Sequence, residues 1–254
     1  MADKRYADLL HSLDAEQLSY PGTFEEALAI ADTLPRCRTL DVPCGPGRMA
    51  EALSRIGFSA YAADLNAAGY RGSAAFCTVD LELGLPYADG AFGFIYCGDG
   101  IEHLENPVTL LRELARILTD QGVLVIVTPN YLNVERRLRF LLSGSLAQPI
   151  KRLPGYYEGK RFDRGHINPL TLTRLAYFAE NAGLELERSQ TIGTKKGQRW
   201  LAPLAALIVM LGRFETPRRR SNLFADHTQT WSMLMGGKQL FAIFRRVKSR
   251  TLAP

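Results

Sequence analysis

The run Leu40-Asp41-Val42-Pro43-Cys44-Gly45-Pro46-Gly47-Arg48 puts a carboxylate and two closely spaced glycines where an apolar stretch ends and a helix-patterned stretch, Met49 to Ile56, begins. Glycines let a backbone turn tightly and pass close to a ligand, and the helix start that follows offers N–H groups without intrahelical partners. This is the chemistry of a nucleotide-cofactor loop. The third glycine of the dinucleotide fingerprint is missing and no P-loop lysine follows, so a phosphate cradle is poorly supported. Two histidines have a context suited to taking a proton from a hydroxyl near neutral pH. His103 lies in Ile101-Glu102-His103-Leu104, and His166 in Gly165-His166-Ile167-Asn168-Pro169-Leu170, just before a helix start at Thr171. Glu102 reads as an orienting or helix-start residue and not as a base.

The elements that must position these residues alternate between strand and helix patterns. Phe58 to Ala63 reads as a short strand closed by Asp64, and Phe92 to Cys97 as another. Val108 to Leu118 has the spacing of an amphipathic helix, and Gly122 to Asn130 reads as a buried strand ending in a turn. Leu184 to Arg188 and Lys238 to Arg246 supply two more strands. Such alternation predicts a parallel sheet covered on both faces.

In this order and spacing the motifs resemble class I S-adenosylmethionine (SAM)-dependent methyltransferases, over roughly Thr39 to Lys248. The resemblance implies an α/β, Rossmann-like doubly wound fold with a mostly parallel seven-stranded sheet, an antiparallel last strand at 238–246 and a helical cap. It implies SAM as cofactor, with Asp41 near the methionine end, the glycine loop beneath the cofactor, Asp64 on the ribose hydroxyls and Asp80 on the adenine amino group. Pro43, Cys44, Gly45 and Gly47 of the loop, with Leu65, Leu81 and Gly98, complete the implied cofactor set. Pro43 stands where the family usually has its first glycine. The Glu-His-Leu element at 102–104 resembles the one that lies beside the transferred methyl group. The stretch from Thr128 to Gly144, followed by 165–170, resembles bacterial type-11-like methyltransferases linked to cell-surface glycan or lipid biosynthesis. Residues 1–35 form an N-terminal helical segment ahead of a domain at 36–254, with a cap at 131–170 and a hydrophobic and basic insertion at 189–237.

Charge is divided unevenly along the chain. Residues 1–130 carry a net −9 and residues 131–254 a net +14. Arg136, Arg137, Arg139, Lys151, Arg152, Lys160, Arg161 and Arg164 fall where an acceptor cap is expected, which points to an anionic acceptor or else to a solvated basic face. The most apolar segment, Trp200 to Leu211, has about a dozen residues, against the ~20 a spanning helix needs. It admits two readings: a buried cap helix, or a helix lying in the surface of an anionic membrane, flanked as it is by Lys195, Lys196, Arg199, Arg213 and Arg218 to Arg220.

The first twenty residues lack a signal-peptide core, and Cys37, Cys44, Cys77 and Cys97 form no Cys-x-x-Cys pair, so a cytoplasmic protein with reduced thiols is expected. No metal site is assigned, although Cys44 and Cys97 with His103 are a conceivable set. The expected activity is O-methylation of a glycan, a lipid-linked sugar or another anionic small acceptor, with His166 placed ahead of His103 as the base. A nucleic-acid methyltransferase and a non-catalytic SAM-binding scaffold stand as alternatives. The first is kept open by the basic half, although Cys97 to Gly100 replaces the Asn/Asp-Pro-Pro-aromatic turn such enzymes use. The second is opposed by the intact acidic and glycine positions.

Overall fold

The structure is a computed structural model and describes residues 4–13, 19–146 and 165–247. Seven strands form one sheet: β1 (Arg38–Asp41), β2 (Ser59–Asp64), β3 (Ala75–Thr78), β4 (Phe92–Gly98), β5 (Leu118–Pro129), β6 (Leu184–Thr194) and β7 (Gly236–Arg246). Their order is β3-β2-β1-β4-β5-β7-β6, with β7 antiparallel to both its neighbours and the other pairs parallel. This is the doubly wound sheet expected from the motifs. β6 runs on to Thr194, well past Arg188, because β7 offers it a long antiparallel edge. The connection between the two therefore starts at Lys195.

Alternation along the inner strands divides the core between two faces. On β5, Leu124 and Ile126 point to one face and Val123, Val125 and Val127 to the other. β7 does the same with Leu240, Ala242 and Phe244 against Phe241 and Ile243. Strands buried on both faces read as continuous apolar runs, which is why 122–127 carries no polar alternation. The first face is covered by α4 (Pro107–Ile117) and α6 (Leu172–Asn181), whose buried residues include Leu110, Leu114, Leu172 and Leu175. Pro107 suits the first turn of α4, where its missing N–H costs nothing. The second face is covered by α1 (Lys4–His11), α2 (Thr23–Ala31) and α3 (Arg48–Arg55). Tyr6, Leu10, Phe24 and Leu28 share that core with Phe94 and Val125, so the N-terminal segment is packed into the fold.

Asp32 ties the two N-terminal helices together. Its carboxylate accepts hydrogen bonds from the Tyr6 hydroxyl at 2.8 Å and from Arg36 at 2.7 Å, and also bonds Arg5. The Tyr6 bond foremost, then Arg36 and Arg5, lower its pKa from 3.8 to about 2. A carboxylate with a depressed folded-state pKa stabilises the fold above its unfolded value, and that contribution is lost as pH falls through the folded one. Asp32→Asn is expected to lower the melting temperature by about 2 to 4 °C near neutral pH, the scale for a surface network in a chain of this size. The difference from wild type should shrink between pH 4 and 2 and vanish below about pH 2. A pH series of thermal melts checks it, and a gap that persists in acid would contradict the linkage.

Beyond β5 the chain forms α5 (Val134–Ser143). Between β6 and β7 come a 3-10 turn (Lys196–Leu201), α7 (Ala202–Gly212), α8 (Pro217–Asn222), α9 (Ala225–Thr228) and α10 (Trp231–Met235). The apolar segment is thus two elements and not one, and full burial within it is confined to Leu201 and Ala205. It is not a helix covered by the rest of the fold. No helix among the described residues is long and apolar enough to cross a membrane. Lys151, Arg152, Lys160, Arg161 and Arg164 of the expected basic cap lie outside the described residues.

Candidate active site

The strand order reverses between β1 and β4, which leave their carboxyl ends side by side. Ligands of open α/β sheets bind in the crevice at that switch point. A cavity of about 360 Å³ opens there, within the usual range for small-ligand sites. The ends of four successive strands converge on it through Asp41, Asp64, Asp80 and Gly98. Pro43, Cys44, Gly45, Leu65 and Leu81 line it as well. Gly47 does not. It is the residue before α3, at φ +92°, and a side chain there would run into the Tyr70 ring.

Each carboxylate is oriented by main-chain donors. Asp64 accepts the Gly45 N–H at 2.8 Å on one oxygen and the Asn66 N–H at 2.9 Å on the other. An ionised carboxylate has about four lone-pair sites, so both oxygens retain acceptor capacity toward the cavity. Asp41 is 2% exposed and accepts the Ala50 N–H at 3.1 Å from the first turn of α3. Burial pushes its pKa well up, only partly offset by that hydrogen bond, and the charge of nearby Asp64 adds to the rise. Asp80 takes the Glu82 N–H at 3.0 Å. Glu82 in turn accepts N–H groups of Glu105 and Asn106 at 2.6 and 3.2 Å, fixing the entry to α4.

Several walls of the cavity have no local signal in the sequence. Ser19 and Phe24 come from the N-terminal segment, and Phe24 meets Tyr96 edge to face with ring centroids 5.6 Å apart. Asp99 is held in a left-handed conformation, φ +51°, just after β4. Its carboxylate is bonded by the Ser19 hydroxyl at 3.0 Å and the Gln239 amide at 2.5 Å, so residues 80 and 140 positions away fix one side chain. Burial raises its pKa. Gly100 is constrained by the loop opposite, since a Cβ there would lie 2.5 Å from the Pro43 ring. The one hint in the sequence is the Gly-Asp-Gly turn at a strand's carboxyl end, the position from which α/β sheets contact ligands.

His103 lines the same cavity, in a 3-10 turn (Ile101–His103) that follows β4. His166 does not line it but lies next to His103, with ring centroids 5.0 Å apart and nearly perpendicular. Asn168 explains the approach of these distant segments. Its N–H donates to the Glu102 carbonyl at 3.0 Å and its amide to the Leu104 carbonyl at 3.4 Å, clamping 165–170 against the turn. The Tyr131 hydroxyl and His166 Nδ1 are 3.3 Å apart. Glu102 is buried and accepts the Thr128 hydroxyl at 3.1 Å. Ligand atoms of Glu102, His103 and His166 lie within 4.8 Å of one another, whereas Cys44, Cys97 and His103 form no such group among the described residues. All four cysteines are free thiols.

The donor set fits SAM: an acceptor carboxylate at the end of β2 suits a ribose diol, and a buried carboxylate at the end of β1 suits a cationic amino-acid group. Comparison with known proteins agrees. A methyltransferase-domain family matches residues 2–189. A ubiquinone biosynthesis O-methyltransferase of Xanthomonas euvesicatoria is 29% identical over 188 residues, 70% of this chain and 72% of the relative. One of the same name from a Caulobacter species is 28% identical over 138 residues, 49% of this chain and 53% of the relative. Among solved structures, a SAM-dependent methyltransferase from Archaeoglobus fulgidus superposes with a TM-score of 0.53 at 16% identity, covering 87% of this chain and 93% of that one. Another from Mesorhizobium loti gives 0.51 at 16% identity, covering 89% and 99%. At such identity these two speak for the fold alone. The family match extends over most of the chain and includes every strand-end carboxylate of the cavity, and the protein belongs to the methyltransferase-domain family as a SAM-dependent methyltransferase.

Proposed function

We propose that the protein methylates a hydroxyl of a small acceptor, with SAM held by Asp41, Gly45, Asp64 and Asp80 and the acceptor entering beside His103 and His166. The observation that carries this reading is the histidine pair, 5.0 Å apart at the edge of the cofactor cavity. Bound SAM supplies a sulfonium methyl that is already electrophilic, so the protein's task is alignment and removal of water. A hydroxyl must lose its proton as the new C–O bond forms, and a neutral imidazole placed at the acceptor oxygen receives it. His103 is the nearer candidate because it borders the cavity. His166 packs against His103 and is itself met by the Tyr131 hydroxyl, while Glu102, bonded by the Thr128 hydroxyl, belongs to the same turn as His103.

The O-methyltransferase names of the relatives support oxygen as the methylated atom. The acceptor is read as an anionic or lipid-borne molecule, either a prenylated phenol of the ubiquinone type or a lipid-linked glycan, met at a membrane surface from the cytoplasmic side. The basic half of the chain supports the anionic partner. Incubating the protein with radiolabelled SAM and matched acceptors, a polyprenylated catechol and a polyprenyl-phosphate sugar, distinguishes the two. Label in the organic phase with either one supports a lipid-borne hydroxyl acceptor. Label transferred only to RNA or to water-soluble amines would sink the reading.

A further inference from the structure

The element after β6 breaks the rule by which helices choose their surroundings. α7 is apolar almost all round, a pattern that belongs in a core, yet only Ala205 and Gly212 of it are buried. Leu207, Met210, Leu211 and Phe214 are exposed, with Trp200 at the border, 72% exposed. At the end of α5, Leu141 and Leu142 are each 79% exposed. The stretch leading to α7 meets α5 at its first turn, where Lys195, just before the 3-10 turn, pairs with Glu135 at 2.5 Å. Phe140 of α5 and Leu223 after α8 line one groove of about 320 Å³. Large apolar side chains left exposed in such number on neighbouring elements point to an interaction surface.

Charge identifies the occupant. Residues 195–224 carry seven Lys/Arg and one Asp/Glu, and that one, Glu215, is paired with Arg219 at 3.0 Å. Lys196, Arg199, Arg213 and Arg218 are exposed and make no ion pair among the described residues. A second copy on this face would set these cations against one another. An anionic bilayer satisfies both features, with acyl chains for the apolar residues and headgroups for the cations. α7 has eleven residues, about 16 Å of helix, against a hydrocarbon core of ~30 Å, so it lies in the surface and does not span it.

We infer that the end of α5, the 3-10 turn and α7–α8 form a docking surface for an anionic membrane, with the groove as the path from that membrane to the histidine pair. Tyr131 lines the groove, and its hydroxyl is 3.3 Å from His166 Nδ1. This deepens the reading of a lipid-borne acceptor and rests on it for the groove's role, while docking itself is measured without any acceptor.

The test is flotation of the full chain with phosphatidylcholine vesicles, with and without phosphatidylglycerol, alongside calorimetry of SAM binding. The expected result is about tenfold or greater preference for the anionic vesicles at 0.1 M salt, largely lost at 1 M, where the screening length falls from ~10 to ~3 Å. The double variant Arg213→Ser/Arg218→Ser should lose about tenfold in partition with SAM affinity unchanged, and Leu141→Ser/Leu142→Ser should do the same for the apolar half. Equal recovery with neutral and anionic vesicles, no recovery at all, or variants that partition like wild type would overturn the docking surface. So would a concentration-dependent dimer in sedimentation that the same variants abolish. A wild type that floats but does not bind SAM would instead sink the catalytic reading and leave the docking intact.

Discussion

Turnover is expected to fall about 10²-fold or more when His103 is replaced by alanine, while SAM affinity should stay within a few-fold of wild type. That magnitude is the usual contribution of a positioned general base, and the split between kcat and cofactor binding separates proton transfer from a collapsed site. His166→Ala is expected to follow with a smaller loss, because the ring lies outside the cofactor cavity and acts beside His103 and Tyr131. The double variant should fall short of the product of the single effects, since side chains in contact are not additive. Steady-state rates with labelled SAM decide the matter. Undiminished turnover in both single variants and in the double would point to an acceptor that needs no base, such as a carboxylate or an amine.

SAM affinity is expected to drop by about 1 to 3 kcal/mol in Asp64→Ala, roughly 5- to 150-fold, because a buried diol would lose a charged acceptor. Asp64 also organises the loop it faces, through the Gly45 and Asn66 N–H groups. Asp64→Asn separates the two effects. Its amide oxygen can still take one main-chain N–H, so the loop is partly held, whereas charge-assisted acceptance of the diol is gone. Calorimetry with SAM and with its demethylated product is expected to rank wild type above Asp64→Asn and Asp64→Ala. Equal affinity in all three would remove Asp64 from the cofactor site, and binding of NAD in place of SAM would overturn the cofactor itself.

Much of this protein is legible in its sequence because the relevant physics is local. Apolar runs at 92–97 and 122–127 read as buried strands, since they are short, rich in aromatic or β-branched residues and polar on no face. The glycine loop, with a carboxylate before it and a helix after it, is a short-range device whose parts are neighbours in the chain. Asp64 is recognised by its place at the end of a strand and Asp80 by the resemblance of its motif, and the alternation of elements brings strand ends to one edge.

What the tertiary structure decided lies across long separations. Ser19, Asp99 and Gln239 form one hydrogen-bonded group that no window of sequence contains. His103 and His166 are brought together by Asn168 reading the main chain at 102 and 104, and the cavity formed by distant strand ends shows that His103 is the one that borders it. The fate of 200–211 was likewise open in the sequence, because uniform apolarity describes a core helix and a membrane-facing one equally well. Hydrophobicity records that a segment avoids water; which surface it meets instead is fixed by whether the rest of the chain leaves room to cover it, and here it fully covers only Leu201 and Ala205.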